Sequence, residues 1–126
     1  MKKGWLAVGL IDVMAALSLW HVSALGQLTA ELGEQLGRAE GLAERGAWEE
    51  AAEVTRAASE QWDSRAFYLH VTLDHKTADD IAVGFAETLE FLTWQESGEY
   101  SAANARLMEQ LKLLGELERP TLENLL

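Results

Sequence analysis

An all-α fold is predicted, and three observations predict it. The 126 residues contain a single proline. Apolar side chains recur at helical spacing through residues 26–126. A 22-residue run from Gly4 to Leu25 carries one charged side chain, Asp12. The expected architecture is an N-terminal transmembrane helix, residues 1–25, followed by an antiparallel four-helix bundle of two helical hairpins, residues 26–126.

The apolar run comes first. As a helix it spans roughly 33 Å at about 1.5 Å per residue, enough to cross a bilayer core. Trp5 and Trp20 lie near its two ends, where interfacial aromatics belong. Lys2 and Lys3 favour a cytoplasmic N-terminus, which leaves the bundle extracytoplasmic on a single-pass protein of the cytoplasmic membrane. Asp12 opposes insertion by about 2.5–3.5 kcal/mol, and the aliphatic residues return roughly 3–5 kcal/mol, so the span is marginal alone. Gly9, Asp12 and Ala16 share one helix face with Trp5. A small-residue face bearing a carboxylate suits contact with another membrane helix, in a second protein or a second copy. Two other readings fit the same run. Val22-Ser23-Ala24 matches a signal-peptide cleavage site, which would release a secreted helical domain, and the run could also be the buried first helix of a soluble protein.

Helix one is expected from Gly26 to Glu44, continuing the span without a break or following it, with Leu25, Leu28, Leu32 and Leu36 inward. Gly33, Gly37 and Gly41 recur every four residues along it, which suits close packing against another backbone. Arg45-Gly46 ends it. Helix two is expected from Ala47 to Asp74 on a seam of Trp48, Ala51, Thr55, Ala58, Trp62, Arg65, Leu69 and Leu73, with Arg65 snorkelling. Thr77 is the expected N-cap of helix three, with Asp80 in the capping-box position. Ile81, Phe85, Thr88, Leu89 and Leu92 face inward, and Ser97-Gly98 closes that helix. Helix four is expected from Tyr100 to Leu117, with Leu107, Leu111, Leu114 and Leu117 inward. Pro120 stops it, and residues 121–126 pack back. Gly46-Ala47-Trp48 with Ala51, and Gly98-Glu99-Tyr100 with Ala103, form a faint repeat: an aromatic to plug a hairpin and an alanine to let helices approach. Trp48, Trp62 and Trp94 are expected in the core.

Charge and composition exclude several functions. The formal net charge is -11, and residues 26–126 hold 20 acids against 8 bases, so nucleic acid is an unsuitable partner. With no cysteine there is no disulfide, thiolate metal site, cysteine nucleophile or cysteine-borne lipid anchor. No phosphate loop, nucleophile elbow, zinc-binding helix or dinucleotide fingerprint occurs, so neither catalysis nor a cofactor is expected. His70, Asp74, His75, Asp79 and Asp80 form the one cluster with metal-ligand chemistry. The same residues also make an ordinary helix–turn–helix corner, with His75 at one helix C-terminus and acids at the next N-terminus. The corner is a candidate for interaction or weak metal binding, and no defined metal site is expected.

Several segments together resemble a known family. They are Gly46-Ala47-Trp48-Glu49-Glu50-Ala51, Trp62 in mid-helix, Leu73-Asp74-His75 with Asp79-Asp80-Ile81, and the tail from Glu118 to Leu126. The chain resembles the domain-of-unknown-function 4363 family, found mainly in clostridial bacteria. That resemblance implies a single-span, membrane-anchored helical module, accessory to other small membrane proteins and bringing no catalytic residues. Asp12 and the three-glycine stripe depart from the family pattern. The expected role is a non-catalytic scaffold or interaction module at the membrane, in contact with another membrane protein or with itself. The alternative is an envelope module that binds a ligand or metal at residues 70–80.

Overall fold

A computed structural model describes the backbone of residues 2–72 and 74–125, and side-chain environments over 4–17, 24–65 and 74–116. Among the described residues the chain forms four helices: α1 (Lys2–Glu44), α2 (Trp48–Thr72), α3 (His75–Thr93) and α4 (Ser97–Leu125). Each helix packs against its neighbours in the order α1–α2–α3–α4–α1. Short turns between long helices make the neighbours antiparallel, so the bundle runs up, down, up and down.

The expected anchor and the expected first bundle helix are one helix of 43 residues. No proline or turn interrupts it, and a helix continues where nothing stops it. The bundle therefore has four helices in all, with α1 supplying both its first helix and the projecting apolar segment.

The two turns at the far end share one geometry. After α1, Gly46 N–H donates to the Ala43 carbonyl at 2.9 Å and Ala47 N–H to the Leu42 carbonyl at 2.9 Å. After α3, Gln95 N–H donates to the Leu92 carbonyl at 3.2 Å and Glu96 N–H to the Phe91 carbonyl at 3.0 Å. Both are Schellman ends, which need a left-handed residue. Gly46 meets that need at φ 80, and Gln95 meets it at φ 54. Thus α3 ends at Thr93, and Ser97 and Gly98 open α4 where they were expected to close α3. The repeat is offset in the same way: Gly46 lies in a turn and Gly98 inside a helix. Its aromatics do meet, with Trp48 edge-on to Tyr100 at 6.4 Å between ring centroids. The alanines that follow, Ala51 and Ala103, are both buried.

Other boundaries also move. Asp74 takes extended backbone geometry, φ -59 and ψ 134, and its carboxylate accepts the Lys76 N–H at 3.5 Å. Asp74 therefore caps α3, α2 ends at Thr72, and Thr77 falls inside the helix it was expected to cap. Aspartate is a preferred N-cap, and the first such residue on the path takes the role. The helix α4 runs through Pro120 to Leu125, although Pro120 was expected to stop it. Proline's fixed φ suits a helix, and it forfeits one backbone hydrogen bond.

Two apolar clusters fill the bundle. The larger contains Leu25, Leu28, Leu32 and Leu36 of α1, with Trp62, Ile81, Phe85, Leu107, Leu111 and Leu114. The smaller, toward the two Schellman turns, holds Ala39, Ala43, Ala51, Leu92 and Tyr100. The leucine stripe of α1, the Ala51–Trp62 seam, Ile81, Phe85, Thr88 and Leu92 of α3, and Leu107, Leu111 and Leu114 of α4 are buried as their periodicity predicts, while Trp48 and Leu89 are half-buried. Arg65 is exposed. Trp94 is 68% exposed, against the expectation of a core position. It is the C-cap residue of α3, and its indole N–H donates to Glu90 Oε1 at 2.7 Å.

Candidate interaction surfaces

The most exposed apolar surface lies on α1. Trp5, Leu6, Val8, Leu10, Ile11, Val13, Met14 and Leu17 are all more than half exposed, from 57% at Val13 to 81% at Trp5. Soluble surfaces seldom gather large apolar side chains so densely. Gly9, Asp12 and Ala16 lie on the same segment and are exposed with it. A methyl group added at Gly9 would meet nothing within 4 Å. Among the described residues, no helix is long and apolar enough to cross a membrane. The described apolar side chains, residues 4–17, cover about 21 Å of helix, against a hydrocarbon core of about 30 Å.

A second surface is the open groove between α1 and α4, about 540 Å³ in volume. Gly26, Thr29, Ala30 and Gly33 line one wall, and Ala105, Met108 and Gly115 line the other, with Glu109, Lys112 and Glu116 adding charge. Of the three-glycine stripe, Gly33 lines this groove and Gly37 faces Met108 of α4. A Cβ at Gly33 or Gly41 would meet nothing within 4 Å, and one at Gly37 would touch only Met108 Cε at 3.7 Å. Close approach occurs at two other glycines. A Cβ on Gly84 would lie 2.9 Å from Leu107 Cδ1, and one on Gly115 would lie 2.6 Å from Thr29 Oγ1.

The same seam holds a polar latch that periodicity alone did not single out. Asn104 is fully buried, and its Nδ2 donates to the Leu36 carbonyl at 3.1 Å and to Glu40 Oε2 at 3.0 Å. Ser101 Oγ donates to Glu40 Oε1. Glu40 thus ties α1 to α4 through both oxygens. Asn104 Oδ1 and Tyr100 Oη are buried without partners. Burial pushes the Tyr100 phenol well above its usual range, and the nearby Glu40 and Glu44 carboxylates add to the effect. Asn104 occupies an inward position between Tyr100 and Leu107, so a polar residue on that stripe was its available signal. Thr55 and Thr88 are also buried, each donating to its own helix, to Ala51 at 2.8 Å and Gly84 at 2.7 Å.

The corner at residues 70–80 is arranged as a cap. Asp74 is committed to the α3 N-terminus, Asp79 and Asp80 are exposed, and His75 is exposed and engaged in an interaction. The side chain of His70 lies outside the described residues, as do those of Leu69, Leu73, Leu117 and residues 121–126. Among the described residues, no group of three or more His, Cys, Asp or Glu side chains could hold a metal.

An antiparallel four-helix bundle with one helix extended far beyond it is the class of protein these features define. The chain belongs to the DUF4363 family: the model of that domain of unknown function matches residues 19–125. No curated protein and no solved structure matches it.

Proposed function

We propose that the protein is a non-catalytic, membrane-anchored helical interaction module. Its bundle stands at the outer face of the cytoplasmic membrane, and its partner is another membrane protein or a second copy. The observation that carries this reading is the exposed apolar sheath on the first half of α1. Water is a poor medium for eight such side chains on one segment, and lipid is a good one. In sequence the apolar run continues to Ala24, next to Leu25, the first core leucine of the bundle, which brings it to membrane-spanning length. Lys2 and Lys3 orient it with the N-terminus inside. Within the sheath, Asp12 is a carboxylate that lipid cannot solvate, so Gly9, Asp12 and Ala16 are the proposed contact with a neighbouring membrane helix.

Fractionation of the full-length protein tests the anchor. It should remain in the membrane pellet after alkaline carbonate washing, with an intact N-terminus by mass spectrometry and a bundle open to protease only from outside. A carbonate-soluble monomer, or a chain cut after Ala24, would overturn the anchor. Crosslinking in membranes then tests the contact: Asp12→Leu should abolish the crosslinked species, and an unchanged pattern would remove Asp12 from that role.

A further inference from the structure

The groove between α1 and α4 is open, and its α1 wall is made of small residues that the bundle itself does not pack against. Gly26, Ala30 and Gly33 line it. Ala30 is exposed, and a Cβ on Gly26 or Gly33 would meet nothing within 4 Å. Glycine inside a helix is unfavourable unless another backbone needs the room. We propose that the occupant of this groove is α1 of a second copy of the chain, running parallel, so that the protein is a dimer along α1. The dimer rests on the membrane-anchored reading above and names the partner of the Asp12 face.

Three observations choose that occupant. The first is continuity. Counting on from Asp12 and Ala16 in alternating steps of three and four residues leads to Gly26, Ala30 and Gly33. That period of 3.5 keeps one face toward a single partner helix under a gentle left-handed twist. The contact in the membrane and the groove in the bundle therefore lie on one seam, and α1 is unbroken between them. The second is the shape of partner such a seam accepts: a helix that leaves the membrane and continues straight past Gly33. The chain's own α1 is such a helix, and two copies inserted in one membrane are parallel. The third is charge. Between Asp12 and Glu31 the chain has no Asp, Glu, Lys or Arg, so the middle of the seam does not repel an identical copy. On the α4 rim of the groove stands Lys112. Gly37 faces Met108 and Thr29 faces Gly115, which sets Lys112 about level with Gly33. Glu34 is exposed one residue on, while Thr29 and Leu36 mark the side of α1 that meets α4. Glu34 thus stands on the flank away from α4. A twofold axis along the seam turns that flank toward the α4 of the other copy, so Glu34 of each copy meets Lys112 of the other. Among the described residues neither has an ion pair within its own chain.

The chain has no cysteine, so single substitutions report the seam directly. In membranes holding the full-length protein, Ala30→Cys should give a disulfide-linked dimer under mild oxidation, and Glu53→Cys, exposed on α2, should not. All these positions are exposed, so the substitutions spare the core. Glu34→Lys should slow the Ala30→Cys crosslink roughly 10-fold, and adding Lys112→Glu should restore it, because the swapped pair attracts again. In detergent the unsubstituted protein should have the mass of a dimer by light scattering. A monomeric mass with no Ala30→Cys crosslink, in a protein that still resists carbonate washing, would overturn the dimer and leave the anchor standing. A carbonate-soluble protein would remove the anchor, and the dimer with it. A crosslink from Ala30→Cys to a different membrane protein, in place of the dimer, would give the groove another occupant and overturn the second copy. A crosslink that ignores both charge changes would overturn the pairing of Glu34 with Lys112 and the register built on it.

Discussion

Gln95 carries a backbone angle that its side chain disfavours. At φ 54 it does the work that Gly46, at φ 80, does in the matching turn. A left-handed non-glycine residue costs roughly 1–2 kcal/mol. Gln95→Gly should therefore raise the stability of the bundle by about 1 kcal/mol, read as a higher denaturant midpoint with an unchanged slope. Next to it, Glu96 hydrogen-bonds to Glu99 and is repelled by Glu99 and Glu90, which raises its pKa above the usual 4.5. A raised carboxyl favours the folded state when protonated. That contribution is full below pH 4.5 and is lost as pH climbs through the folded pKa. Glu96→Gln should thus raise the melting temperature at pH 7 and lose that advantage at acid pH, as thermal melts across pH would record.

At the level of the helices, the apolar faces were legible and the glycines were not. Leucines three and four apart on α1 and α4 can bury only one way, so Leu28, Leu32, Leu36, Leu107 and Leu111 are inside as their spacing predicts. A glycine's spacing says that a neighbour could come close; whether one does depends on the partner helix. Gly33, Gly37 and Gly41 looked like a contact stripe, yet the tight contacts fall at Gly84 and Gly115, whose spacing gives no pattern. The two kinds should respond oppositely to alanine. Gly33→Ala gains about 1 kcal/mol of helix propensity with no clash, whereas Gly115→Ala forces a methyl onto buried Thr29 and should cost roughly 1–3 kcal/mol. Chemical denaturation of the two variants checks the contrast. Helix ends were legible where glycine marked them, as at Gly46, and misread where a polar residue took glycine's place, as at Gln95. The spacing pointed to Thr77 as the cap of α3, and Asp74, three residues earlier on the path, takes that place.

For the whole molecule, an all-helical chain with a distinct apolar N-terminal segment was readable from one proline, the helical periods and the run to Leu25. The join between that segment and the bundle was open to two readings, because a turn leaves a signal and an uninterrupted helix leaves none. The latch of Glu40, Ser101 and Asn104 was hidden for a different reason. It joins residues more than 60 positions apart, and only packing brings them together. Because α1 is unbroken from Lys2 to Glu44, it acts mechanically as a rod about 65 Å long. A rod does not absorb torque at a joint. The helix offers no hinge between Asp12 and Glu40, so the exposed apolar segment and the polar latch stand on one continuous element.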